Sequence, residues 1–355
     1  MSAVLLRDPS SIWLRLRTAF TTITWDLWLC FPDRLRSAVY LHLAEWYGVR
    51  RWNINHLPFG LILKHTHERS PTLETSNISF VRKNTSIPVP EVLDTIPPRP
   101  AHPGGLIIMK AIEGITLHEW LCPRVTFPPE FHHYFDLLVN GDGTRTDELR
   151  TILQGFEPIA DLSDSSELIS DLRRALLGLR AITPPSSGQV SGANGAPFIT
   201  LRFSNRDILQ PFENIGAFHE MLLQSCSIRD RLPRLRKVAK PVYARNHRLC
   251  FSHLDLSTSN ILVKDGRLAG IVDWETAGWF PEYCEYTTLQ IRNISHVKGL
   301  RIFWDAVGVF DKEQYEDELY LERILFRSAG DTALVPGIIP DDPIDRPLSD
   351  DEAEA

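Results

Sequence analysis

Three oxygen-bearing side chains, Asp255, Asn260 and Asp273, break apolar runs at spacings that chemistry can use. The segment opens Phe251-Ser252-His253-Leu254-Asp255 and reaches Asn260 just before the run Ile261-Leu262-Val263. Lys264-Asp265-Gly266-Arg267 follows, and a second run, Leu268 to Val272, leads into Asp273-Trp274-Glu275. Asp-Gly at the centre of a tight turn between two apolar runs is a hairpin signal. A hairpin returns the chain, so Asn260 at its entry and Asp273 at its exit end up close together. An amide oxygen and a carboxylate converging there make an oxygen-rich site suited to Mg²⁺. Asp255 lies on the same loop and can face the same point without ligating the ion. Phosphoryl transfer uses these parts: a metal that neutralises phosphate oxygens, and a carboxylate that orients the attacking hydroxyl and accepts its proton.

The pattern His-x-Asp-x-x-x-x-Asn followed by a strand-borne Asp is the catalytic-loop signature set of kinases. The segment resembles the corresponding loop of the aminoglycoside phosphotransferase and choline kinase superfamily, which shares the protein kinase fold. More narrowly, it is similar to a large fungal group of aminoglycoside phosphotransferase-domain proteins. The run Asp273-Trp274-Glu275-Thr276-Ala277-Gly278-Trp279-Phe280-Pro281-Glu282-Tyr283 carries that likeness. Pro58-Phe59-Gly60 before Lys64, the run from Asn84 to Pro90, and Pro211-Phe212 before a helix add to it. The resemblance implies that Lys64 pairs with the α/β-phosphates of ATP and that Glu74 orients Lys64. It implies that the connector Met109, Lys110, Ala111 and Ile112 offers backbone groups to the adenine. By the same likeness Asp255 is the catalytic carboxylate, Asn260 and Asp273 hold Mg²⁺, and His253 supports the loop. The chain departs from the family pattern in three places: Leu254 stands for a glycine, Ser257 for a second histidine, and Lys110 for an acid. No glycine-rich phosphate loop precedes Lys64, where only Gly48 and Gly60 occur.

Elements must carry these residues. Leu57 to Lys64 reads as a turn feeding a short apolar strand, and Gly105 to Lys110 as a buried strand. Residues 70–84 read as a helix with Leu73, Asn77, Phe80 and Val81 on one side. The prolines of Ile87-Pro88-Val89-Pro90 exclude helix, so that stretch enters a strand extended. Beyond the connector the chain reads mainly helical, with helices at Glu167 to Ile182 and Phe212 to Ser225. Pro184 to Pro197 is a loop rich in Pro, Gly and Ser. The fold class expected is α+β: a bilobal protein kinase-like fold. A small mixed-sheet N-lobe with one helix spans 45–112, and a larger mainly helical C-lobe spans 113–335. A helical extension (1–44) precedes them and an acidic disordered tail (336–355) follows.

Composition narrows the function classes. The net charge of the 355 residues is −7, and seven acids against one base between Asp341 and Ala355 account for −6 of it. The body is therefore near neutral, which excludes the basic footprint of a nucleic-acid binder. Five scattered cysteines without a CxxC pair fit a reducing, cytoplasmic setting and exclude a zinc site. The apolar stretch Ile12 to Phe31 is interrupted by Arg15, Arg17 and Asp26, so no membrane span is expected. It reads as an amphipathic helix packed on the body, with a membrane-surface helix as the other reading.

For single residues a plainer reading stands beside each role. A lysine ending a strand is by default a solvated charge, and an acid such as Glu74 or nearby Glu68 a helix-surface group. His253 reads as a hydrogen-bonded structural histidine, and Trp274 and Trp279 as packing. Glu275 reads as a solvent or salt-bridge group that could meet a cationic acceptor. The reading expected is a monomeric enzyme that moves phosphate from ATP to a hydroxyl of a small molecule, using Mg²⁺. The alternatives are a nucleotide-binding pseudokinase without turnover, which the missing glycine loop motivates, and a protein kinase. Against the last, the run from Trp274 to Pro281 leaves little room for an activation segment.

Overall fold

The computed structural model describes residues 25–47, 49–51, 53–66, 71–99, 104–140, 148–149, 152, 155–156, 159–185, 187–202, 207–226, 232–293, 298–310 and 313–328. The expectations for residues 1–24, for Glu68 and for the acidic tail lie outside the described residues. The fold is α+β and divides into two compact units. One holds the described residues of Met1–Thr72 with Glu91–Ala111, the other those of Leu73–Pro90 with Ile112–Ala355. No helix among the described residues is long and apolar enough to cross a membrane.

The first unit is a helix on a sheet. Helix α1 (Asp33–Tyr47) precedes strands β1 (Val49–Arg51), β2 (Ile54–Leu57), β3 (Leu61–His65), β4 (Val92–Ile96) and β5 (Leu106–Lys110). The five strands pair antiparallel in the order β1-β2-β3-β5-β4. Tyr40, Leu57, Leu63, Ile96, Leu106 and Ile108 form its core. Tryptophans just before α1 dock by their ring N–H groups, Trp25 to the Leu93 carbonyl and Trp28 to the Tyr40 hydroxyl. Buried Arg36 of α1 forms an ion pair with the buried Asp94 carboxylate, and the Tyr40 hydroxyl donates to it.

The second unit begins, from Leu73 on, with helix α2 (Pro71–Asn84). A two-residue strand β6 (Ile115–Thr116) and helices α3 (Ser166–Arg180), α4 (Ile215–Gln224) and α5 (Leu232–Tyr243) follow. Helix α3 buries Leu168, Leu172, Ala175, Leu176 and Leu179, the single stripe that 3.6-residue periodicity gives. Helix α4 starts three residues later than the sequence suggests, because the Asn214 side chain caps it by accepting the Ala217 N–H. Helix α5 was not anticipated, because Pro233 and Pro241 argue against a helix: Pro233 sits in the first turn, where N–H groups have no intrahelical partner, and Pro241 stands inside the helix, where it forfeits one bond two residues before the end. Strands β7 (Leu249–Ser252), β8 (Ile261–Lys264), β9 (Arg267–Ile271) and β10 (Gly278–Pro281) carry the central segment, followed by α6 (Cys284–Asn293) and α7 (Glu316–Ser328). Phe198, Phe218, Leu222, Leu235, Phe280, Tyr283, Leu321 and Ile324 sit in its main core.

Candidate active site

Two antiparallel pairs hold two loops side by side. Strand β7 pairs with β10 so that Ser252 opposes Gly278. Strand β8 pairs with β9 so that Ile261 opposes Ile271. The loop 253–260 runs from β7 to β8, and the segment 272–277 runs from β9 back to β10. Each end of one loop is thus fixed beside an end of the other. The turn joining β8 to β9 has positive φ at both Asp265 (51°) and Gly266 (71°), as the Asp-Gly signal requires.

Short bonds cross between the loops. The Val272 N–H donates to the Asn260 carbonyl at 2.9 Å. The Thr276 hydroxyl donates to the His253 carbonyl at 2.8 Å. His253 is fully buried, and its Nδ1 accepts the Asp255 N–H at 3.1 Å. That assigns its proton to Nε2, which donates to the Val272 carbonyl at 3.0 Å. The imidazole therefore spans both loops as a neutral structural group. Asn260 donates through Nδ2 to the Asp255 carbonyl at 2.8 Å, so Oδ1 is the atom its amide can offer a cation. Asp255 and Asp273 are half-buried.

The loop rests on a residue that the sequence reading missed. Glu285, near the start of α6, is buried, and its carboxylate accepts the N–H of His253 at 2.5 Å and of Leu254 at 3.1 Å. Burial pushes its carboxyl up to about 7, against the opposing pull of those two bonds. The available signal was an acid standing alone in the uncharged run Tyr283 to Ile291. The anchor is itself anchored: buried Arg202 bonds both carboxylate oxygens of Glu322 on α7, and also the Cys284 carbonyl and Thr287 hydroxyl of α6. Leu254, where the family pattern has glycine, adopts φ 61° and is buried in the core.

Helix α2 packs on the same strands. Phe80 lies against Phe251 of β7 and Trp279 of β10, with ring centroids 4.6 and 6.0 Å apart. The helix buries Glu74, and oxygens of Glu74, Asp273 and Glu275 all lie within 4.8 Å of one another. Three carboxylates so close, with an amide oxygen on the neighbouring loop, are the hard oxygen donors that Mg²⁺ prefers. Glu275, read from sequence as a solvent or salt-bridge group, is half-buried in this cluster.

In the first unit, Lys64 is only 4% exposed, on the middle strand of the sheet, paired with Ile54 and Ile107. A solvated edge charge is therefore excluded. Of the connector, Met109 is buried and Lys110 pairs at the surface with Glu91 at 2.7 Å. The Lys110 N–H goes to the Glu91 carbonyl and the Ala111 N–H to the Gly60 carbonyl.

The solved structures similar to this chain include aminoglycoside phosphotransferase APH(4)-Ia, at 15% identity over 82% of this chain and 88% of that one, TM-score 0.47. A choline/ethanolamine kinase family protein from Mesorhizobium loti is 14% identical over 88% and 89%, TM-score 0.46. A macrolide 2'-phosphotransferase from Brachybacterium faecium is 15% identical over 80% and 88%, TM-score 0.41. No curated protein matches. The phosphotransferase enzyme family is matched over residues 138–316, half of the chain. That stretch contains both strand pairs, the loop 253–260, Asp273, Glu275 and the Glu285 anchor, and on this match the chain belongs to the phosphotransferase enzyme family.

Proposed function

We propose that this enzyme moves the γ-phosphoryl group of ATP to a hydroxyl of a small molecule, with Mg²⁺ as cofactor. The observation that carries the reading is the pairing of loops 253–260 and 272–277, which puts Asp255, Asn260 and Asp273 on one rigid frame. A bound Mg²⁺ would neutralise charge on the phosphate oxygens. Asn260 Oδ1 and the Asp273 carboxylate are the groups that would hold it, with Glu74 and Glu275 beside Asp273. Asp255 orients the acceptor hydroxyl and takes its proton as the oxygen attacks phosphorus. Lys64, a buried cation, pairs with the α/β-phosphates. With the Lys110 and Ala111 N–H groups committed to protein carbonyls, the adenine contact falls to the Ile112 N–H and the connector carbonyls. All five cysteines are free thiols, which supports a cytoplasmic location, and we take the enzyme to act as a monomer.

The test is ATP turnover by purified protein against a broad set of metabolites bearing hydroxyl groups. Asp255→Asn and Asp273→Ala should each lower turnover by at least ~10²-fold while the fold survives. Turnover retained in both variants overturns the assignment. A second reading, nucleotide binding without turnover, draws on the β1–β2 hairpin. Arg51 pairs directly with Ile54, so two residues of sequence separate the strands, too few for a glycine-rich phosphate loop. Thermal stabilisation by ATP and Mg²⁺ without turnover on any acceptor would select it.

A further inference from the structure

Helix α2 is tied to the segment after Asp273 by one amide side chain. Asn77 is buried, and its Nδ2 donates to two backbone carbonyls, Trp274 O at 2.8 Å and Ala277 O at 3.0 Å. Its Oδ1 accepts the Ala193 N–H at 3.3 Å. The two carbonyls bracket the single 3₁₀ turn Trp274–Thr276, closed by the Ala277 N–H on the Trp274 carbonyl at 3.2 Å. Both amide hydrogens are spent on this turn, and two carbonyl acceptors fix which end of the amide faces it. Residue 193 belongs to a loop held in turn by two bonds between Ser191 and Trp279, on β10. One side chain thus joins three segments far apart in sequence.

The turn that Asn77 grips is the spacer between Asp273 and Glu275. Glu74 precedes Asn77 by three residues on α2, on the same buried face as Ile78 and Val81. A neutral amide with both hydrogens on the turn holds α2 there without adding charge beside the three carboxylates, whose oxygens lie within 4.8 Å of one another. A carboxylate in its place would set oxygen against the Trp274 and Ala277 carbonyls.

We infer that Asn77 is a positioning residue: it sets the spacing of the Glu74, Asp273 and Glu275 carboxylates and keeps α2 docked on the Asp273 segment whether or not nucleotide is bound. The inference rests on the proposed function in so far as those carboxylates serve the metal.

Hydrogen exchange tests it without any need for turnover. In Asn77→Ala, amides of α2 and of residues 274–277 should exchange about tenfold faster or more, while α4 keeps its protection. Uniform acceleration across the second unit, or no change in α2, overturns the inference. Should Asn77→Ala not fold, Asn77→Ser, which keeps one donor, is read in the same way. The activity arm follows Mg²⁺. Asn77→Ala should raise the Mg²⁺ concentration for half-maximal turnover about tenfold or more and leave the acceptor KM unchanged. Adding Glu74→Gln should lower activity no further than Glu74→Gln alone. Full additivity of the two losses, or a change confined to the acceptor KM, also overturns it. A wild-type protein that turns over no ATP refutes the proposed function and leaves the exchange result to judge the clamp alone.

Discussion

The Glu285 carboxylate accepts the His253 backbone N–H at 2.5 Å across 32 residues of chain, and through that bond helix α6 holds the first residue of the loop that carries Asp255. A buried acid in this position links stability to pH. Its folded-state carboxyl lies at about 7, above the 4.5 of an ordinary glutamate, so the folded protein holds this proton more tightly than the unfolded chain does. The contribution is complete below about pH 4.5 and is lost as pH rises through about 7. At 1.36 kcal/mol per unit, the difference amounts to about 3 kcal/mol. Glu285→Gln removes the ionisation and keeps an acceptor. Urea unfolding between pH 5 and 8 should then show a flatter decline than wild type, and parallel curves would exclude the assignment.

Glu285→Ala removes the acceptor altogether. Two buried N–H groups, on His253 and Leu254, lose their partner, at a cost of about 1–3 kcal/mol each. A fall in Tm of several degrees is expected, larger than for Glu285→Gln. Equal Tm values for the two variants would show that the two bonds contribute nothing.

Leu254 sets two effects against each other. Its φ of 61° places a branched side chain in the left-handed region, at about 1–2 kcal/mol. Its side chain is 1% exposed in the core, and deleting a buried leucine costs about 2–5 kcal/mol. The packing loss is the larger. Leu254→Gly should therefore destabilise by about 1–3 kcal/mol in urea titration, although it restores the family's residue. A gain in stability would mean that the strain dominates.

Arg202 and Glu322 are 3% and 2% exposed, with N–O distances of 2.9 and 3.1 Å. Removing either partner strands a buried charge, so Arg202→Met or Glu322→Leu should each cost about 3–5 kcal/mol. The double variant should recover most of that loss, because no charge remains buried. Additive losses in the double-variant cycle would refute a direct pair.

Gly278 opposes Ser252 at the mouth of the loop, and a Cβ there would lie 2.5 Å from the Ser191 carbonyl oxygen. A backbone atom cannot swing aside. Gly278→Ala should cost about 1–3 kcal/mol and lower turnover by displacing the end of β7. Wild-type stability in this variant would show that the strand pair yields more easily than its packing suggests.

The sequence by itself determined the hairpin, because Asp265-Gly266 between apolar runs admits few other turns, and with it the return of the chain that sets the Val272 N–H, just before Asp273, on the Asn260 carbonyl. It determined the amphipathic helix α3, whose periodicity is local, and the extended entry to β4, which prolines impose. It also placed Lys64 on a strand. Only the tertiary structure decided what each polar residue touches. Lys64 proved buried because β3 sits mid-sheet, a matter of strand order. Glu275 joined Glu74 and Asp273 because α2 packs on β7 and β10. Asn77 and Glu285 act on backbone groups 200 and 32 residues away, and a backbone carbonyl or N–H has no residue type to leave in the sequence. Periodicity and turn chemistry are written in neighbouring residues, whereas a bond from a side chain to distant main chain is fixed only when the core closes around it.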